Sequence, residues 1–235
     1  MELQPIEYAD YDTDKVAKYA KKMPTIFQYN SDIDKTAYIN WRTGFAHTNR
    51  RQFVVLGEAY FSSAYNLVQQ CLENNGDKKA DSWIFPIMFN VVHGIEVYLK
   101  AINCVLSIVL SKEKGITEGG HDIRALCATA RNLIIEYKTA NKNTTTEQMF
   151  SAIKLVEKFV LNIYEKTDDM TFARYPLAKD KQGHFYIQTF ENEVVDLDLL
   201  KEQMMFVYKM LDFIYEMPEL EMELYAEIMN DMMGY

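Results

Sequence analysis

Glycine and proline are scarce in this chain, nine and five among 235 residues. The many tight turns of a β-sandwich or barrel need more such punctuation, which argues against an all-β fold and for long helices. Cysteine is scarcer still. Cys71, Cys104 and Cys127 are odd in number and widely spaced; a disulfide framework or a zinc knuckle needs paired thiols, so buried, reduced cysteines are expected. Positive charge is in deficit: 25 Lys and Arg face 34 Asp and Glu, leaving a net charge of −9, which argues against a broad basic face for duplex DNA. Absent too are GxxxxGKS, GxGxxG, HExxH, CxxC and GxSxG strings, so NTPases and hydrolases of those kinds gain no support. The opening MELQPIEYADYDTDK has no basic stretch followed by an apolar one, and a cytoplasmic protein is expected.

What is present is apolar content of 49%, enough for one substantial core. Residues 1–49 lack a sustained period and read as an irregular arm with one short helix over 13–22. Residues 50–235 read as one domain. Over 50–73, Phe53, Leu56, Tyr60, Ala64, Leu67, Val68, Cys71 and Leu72 recur at three and four, the stripe of a helix packed on one side. A second helix is expected from Ser82 as N-cap to about 109, with Pro86 tolerated near its start. It is apolar nearly all round and belongs in the middle of a bundle. The same stretch is no membrane span, because Asn90, His93, Glu96, Lys100 and Asn103 would sit near mid-bilayer.

After a loop over 112–120, His121 or Asp122 opens a third helix running through Tyr137. A fourth, capped by a threonine of the 141–146 turn, runs to about 166. Residues 171–190, TFARYPLAKDKQGHFYIQTF, place two β-prone runs around a turn-forming KDKQG and read as an inserted β-hairpin. A last helix starts near Asp196 or Asp198, and Pro218 should kink or stop it before a terminal acidic helix. The expected fold is thus all-α, an up-and-down helical bundle carrying a β-hairpin over 171–190.

Four constellations could carry chemistry. His93, Glu96 and Lys100 share one face of the second helix at spacings of three and four. Two readings stay open there: an i, i+4 pair with a nearby histidine, or a pocket lined for phosphate or nucleotide. His121 and Asp122 follow Gly119 and Gly120 at a helix start, where free amides favour anions, or where they serve as loop and cap. Arg174 and Tyr175 combine a planar fork for phosphate with a ring for stacking, with His184 further along. Arg42 and His47, in WRTGFAH, pair a proton carrier with a cation that would steady a phosphorane, the least needed to cut RNA without metal.

The phrases FPIMFNVVHGIEVYLKAI at 85–102, GHDIRAL at 120–126 and FARYP at 172–176 resemble the bacterial HEPN superfamily. The resemblance covers about residues 82–215 and implies a four- or five-helix bundle that binds nucleotide or RNA, is commonly dimeric, and serves in toxin or phage-defence systems. It places the ligand-binding positions at His93, Glu96, Lys100, His121, Asp122, Arg174 and Tyr175. Active HEPN members are metal-independent ribonucleases with Arg, four to six residues, then His at the start of a late helix. This chain departs there, having no Arg or His after Asp196; the one string with that spacing is Arg42 to His47. The expectations are therefore an RNA- or nucleotide-binding protein, catalytically silent, with a metal-independent endoribonuclease as the enzymatic alternative. A third alternative is a scaffold whose Met-rich carboxyl-terminal helix meets a protein partner. A homodimer is expected; no cofactor, metal, membrane or duplex DNA is.

Overall fold

The computed structural model of the chain describes residues 14, 17, 20, 21, 23–39, 49–112, 120–141, 143–178 and 180–233. The chain divides into two compact units, Met1–Ile39 and Asn40–Tyr235. In the first, Asp14, Ala17, Ala20 and Lys21 are helical, within the span expected for the short amino-terminal helix. A 3₁₀ turn, Ile33–Lys35, follows, capped by Asp32, whose carboxylate accepts from the Asp34 N–H and pairs with Lys35. No described residue of this unit is buried.

The second unit is all-α. Its helices are α1 (Asn49–Glu73), α2 (Ala80–Val109), α3 (Ile123–Ala140), α4 (Thr144–Tyr164), the one-turn α5 (Phe185–Gln188) and α6 (Leu197–Met233), with a 3₁₀ turn, Met170–Ala173, between α4 and α5. The pattern of threes and fours decides which faces go inside: Leu126, Cys127, Ala130, Leu133, Ile134 and Tyr137 bury one side of α3, and Met149, Ile153, Val156 and Val160 one side of α4. α2 packs against α1, α3, α6 and the 3₁₀ turn, while α4 joins α3 to α6 and α1 closes on α6. α2 is long and apolar enough to cross a membrane, but 83% of its most apolar window is buried by the rest of the bundle, and it is the core helix. Each Ile, Leu or Val it buries completely is worth about 1.5–3 kcal/mol. That sum outweighs a capping bond of about 1 kcal/mol, and α2 does start at Lys79 without a side-chain cap.

Several local expectations need correction. Ser82 does not cap α2; its hydroxyl donates back to the Lys79 carbonyl, and the loop side chains of Asp77 and Asn75 take the N–H groups of Lys79 and Ala80. Asn143, not a threonine, caps α4 by accepting from the Thr146 N–H at 2.9 Å. Pro218 does not stop α6, which continues to Met233. The residues on both sides of the proline are tied to α1: Arg51 to Glu216, and Arg50 to Glu219 through two bonds of 2.8 Å. A bidentate pair of this kind holds the helix in register across the missing amide.

The β-hairpin over 171–190 is not formed, and there is no strand among the described residues. The chain does reverse at KDKQG, with a single antiparallel bridge between Leu177 and Gly183 and Ala178 N–H donating to Gln182 at 2.9 Å. Farther out, Thr171 and Phe172 lie in the 3₁₀ turn and Phe185, Tyr186 and Ile187 in α5 instead. Asp169 caps the first flank through the Thr171 N–H and hydroxyl, Phe172 is buried in the bundle, and Tyr186 of α5 donates to the Phe172 carbonyl at 3.1 Å. Caps and aromatic packing override strand propensity, which spans only about 1 kcal/mol.

Gly57 sets the approach of α1 to α2. A Cβ there would stand 2.4 Å from the Tyr98 ring, and one at Gly94 would meet the Phe61 ring at 3.0 Å. Tyr98 is fully buried and its hydroxyl donates to Asp212 of α6 at 3.3 Å, so the ring cannot swing away freely. Gly57→Ala is expected to destabilise the protein by about 1–3 kcal/mol, the overpacking outweighing a helix-propensity gain of about 1 kcal/mol. Urea unfolding followed by circular dichroism measures it, and an unchanged midpoint would mean that α1 and α2 are not in this contact.

Candidate functional site

Four of the seven ligand-binding positions expected from the sequence meet at one carboxylate. Glu96 Oε1 accepts from Lys100 Nζ at 2.7 Å and from His121 Nδ1 at 2.8 Å, and Oε2 faces His93 Nδ1 at 3.4 Å. His93, Glu96 and Lys100 lie together because residues three and four apart share a helix face. His121 arrives from the loop before α3, where Gly120 adopts a left-handed φ of +61° and no side chain is in the way of a Cβ. That conformation suits glycine and turns the chain into the helix start.

Burial separates the roles. Glu96 and Lys100 keep 10% and 11% of their side-chain surface, whereas His121 keeps 86%. Burial alone would push the Glu96 carboxyl up; the hydrogen bonds from His93, Lys100 and His121, with the Lys100 charge, outweigh it and hold the group down at about 2. His121 donates through Nδ1 and leaves Nε2 toward solvent. A carboxylate that fixes one imidazole nitrogen and frees the other is the arrangement of a positioned acid or base.

Arg174 and Tyr175 reach the same region through aromatic rings. Arg174 forms the end of the 3₁₀ turn, and its guanidinium lies 5.7 Å from the Phe89 ring centre and 5.8 Å from that of Tyr175. Phe89, one helical turn before His93, stacks on its imidazole at 5.6 Å with an interplanar angle of 11°, and Tyr60 of α1 meets that imidazole edge-on at 4.6 Å. Among the described residues Arg174 has no carboxylate partner, and Tyr175 is 58% exposed. Glu96 answers Lys100, which leaves the Arg174 guanidinium on one side of the cluster and the Asp122 carboxylate, bonded to N–H and hydroxyl donors rather than to a cation, beside His121.

Asp122 takes another part. Its carboxylate accepts from the N–H groups of Arg124 and Ala125, capping α3, and receives the Tyr164 hydroxyl at 3.4 Å. Arg42 and His47 lie outside the described residues. His184, buried at α5, stacks on Tyr186 away from the Glu96 cluster's hydrogen bonds. Phe89 and Tyr60 are participants that sequence reasoning missed. Phe89 had a signal, its i, i+4 spacing to His93; Tyr60 is indistinguishable from the other apolar positions of its stripe. No group of three or more His, Cys, Asp or Glu suited to a metal occurs among the described residues. The three cysteines carry free thiols, and burial pushes that of Cys127 up to about 12. An aromatic cavity of about 480 Å³, walled by Phe85, Met88, Phe159, Phe172 and Tyr186, opens near the start of α2, and its lining includes none of the Glu96 cluster.

Glu96→Gln keeps the shape and leaves the Lys100 ammonium buried without a counter-charge, so a loss of about 3 kcal/mol is expected; Glu96→Gln with Lys100→Met should recover most of it. Because the folded-state carboxyl is depressed from the ordinary 4.5 to about 2, its stabilisation is complete above the unfolded value and fades as pH falls through that interval. Urea midpoints of wild type and Glu96→Gln should differ at neutral pH and converge toward pH 2. A constant gap across that range would remove the ionised carboxylate from the account. In comparisons with known proteins, no family model, no curated protein and no solved structure matches the chain.

Proposed function

We propose that this chain is an HEPN-like, cytoplasmic binding protein for RNA or nucleotide, of the kind found in phage-defence or toxin systems. The observation that carries the reading is the meeting of His93, Lys100 and His121 on Glu96, with Arg174 lying on Phe89 and having no acid partner among the described residues. A guanidinium with no carboxylate partner among the described residues, in a chain of net charge −9, is a residue suited to take phosphate in its fork. Tyr175 offers a π-face for a base. Glu96 and Lys100 form the buried footing that holds His121 in place, so phosphate contact falls to Arg174 and His121 rather than to Lys100.

Fluorescence anisotropy with a labelled oligouridylate, and calorimetry with ATP, test the reading. Binding should weaken as salt rises. Arg174→Ala should weaken it about tenfold or more, the loss of one charged hydrogen-bond partner, and Tyr175→Ala by a similar factor if a base stacks there. Absence of binding at low salt, or binding indifferent to both variants, would sink it.

One feature favours the enzymatic alternative enough to test alongside. The carboxylate-held His121, with its second nitrogen free, can take a proton from a ribose 2′-hydroxyl without any metal. RNA cleavage that persists in EDTA and disappears in His121→Ala, with the unfolding midpoint unchanged, is the expected outcome for an active protein. Persistence of cleavage in His121→Ala would move the chemistry elsewhere.

A further inference from the structure

The last third of α6 has an apolar face that the bundle does not use. Met222 is the last side chain of the helix packed on the core, and every described side chain from 223 to 232 is exposed. Leu220, Leu224, Ile228 and Met232 follow one another at intervals of four, with Tyr225 and Met229 beside them, over a length of about 18 Å. These are large side chains on one side of a helix, not the scattered apolar residues of an ordinary surface.

The charge around this stripe is of one sign. After Lys209 the chain contains Asp212, Glu216, Glu219, Glu221, Glu223, Glu227 and Asp231 and no Lys, Arg or His. Arg50 and Arg51 answer Glu219 and Glu216, Tyr98 donates to Asp212, and Tyr137 donates to Glu221. Glu223, Glu227 and Asp231 have no partner among the described residues. A second copy of the same helix would lay further carboxylates against these, with no cation from either segment to separate them, and like charges across an interface disfavour it strongly. An anionic lipid surface meets the same repulsion, and the Lys and Arg that seat amphipathic helices on membranes are missing.

We infer that the 220–232 face of α6 is a docking surface for a different protein, one presenting an amphipathic helix whose apolar stripe is flanked by Lys or Arg. The apolar residues supply the contact area and the carboxylates choose the partner, since a complementary rim speeds association and excludes acidic competitors. This surface is separate from the Glu96 cluster and does not depend on what binds there.

The full-length protein would be titrated with a labelled amphipathic peptide of about 20 residues, long enough to cover the face. One version carries leucines on one side and lysines flanking them; a second has glutamate in place of each lysine. The lysine peptide should bind, weakening roughly tenfold or more from low to high salt, and the glutamate peptide should not. Leu224→Ser with Ile228→Ser should abolish binding, while the exposed position of both residues leaves the unfolding midpoint unchanged. Glu227→Lys with Asp231→Lys should shift preference toward the glutamate peptide. Binding by neither peptide, equal binding by both, or indifference to the serine variant overturns the inference. Self-association in light scattering that the serine variant removes would assign the face to a second copy, and co-sedimentation with phosphatidylcholine vesicles would assign it to lipid; either result also overturns it.

Discussion

A helix enclosed by neighbours can keep an ionised carboxylate only if that charge is answered, and Glu96 on α2 is where this protein meets the constraint. Without partners the group would be neutral, or α2 would have to turn that face outward and lose apolar burial worth far more than any single ion pair. Lys100 supplies one answer from the next turn. His121 supplies another from outside the helix. The next residue, Asp122, caps α3. The buried carboxylate's partner from outside α2 and the cap of α3 are thus adjacent residues, at the point where the chain enters α3.

The opposite side of α2 is governed by sterics rather than charge. Gly57 lets α1 lie against Tyr98 of α2, Gly94 lets α2 lie against Phe61 of α1, and the Tyr98 hydroxyl reaches across to Asp212 on α6. The seam that results is rich in acid. Burial, followed by the charge of Asp212, pushes the Glu58 carboxyl up; burial, followed by the charge of Glu216, does the same to Asp212. Arg50 and Arg51 counter this from the first turn of α1, and their pairs with Glu219 and Glu216 also carry α6 intact past Pro218. The continuity of α6 into its carboxyl-terminal stripe thus runs past the ion pairs that balance the acid-rich seam.

What could be read from the sequence were the features with a long period. The stripes of α1, α2, α3, α4 and α6 repeat often enough to reveal both helix and buried face, and the 93, 96, 100 spacing declared its shared face for the same reason. Features fixed by one side chain were less legible. Asn143 caps α4, and Asn75 and Asp77 take the N–H groups at the start of α2, from positions with several polar neighbours of similar capping strength. The 171–190 segment has the composition of two strands, but its alternation is short, and packing of Phe172 and Tyr186 against the bundle decided its conformation. Pro218 is a breaker by local rules and a passenger once Arg50 and Arg51 hold both sides. His121 is marked by its place after Gly119 and Gly120 at a helix start and again by the phrase GHDIRAL, whereas no local pattern connects Arg174 to Phe89 across more than eighty positions. Arg42 and His47 stand outside the described residues.

Stability explains part of the polar cluster and not the rest. Lys100 is nearly as buried as the carboxylate it meets, so its removal leaves an unanswered charge, and its presence needs no ligand to account for it. His121 differs. An imidazole that keeps 86% of its surface gains well under about 1 kcal/mol from a pair in water, and Arg174 lies on Phe89 with no acid partner among the described residues. The buried half of the cluster is what holds a helix together. The exposed histidine is tied to that half through Glu96 and the exposed arginine rests on Phe89, and neither contact repays much stability.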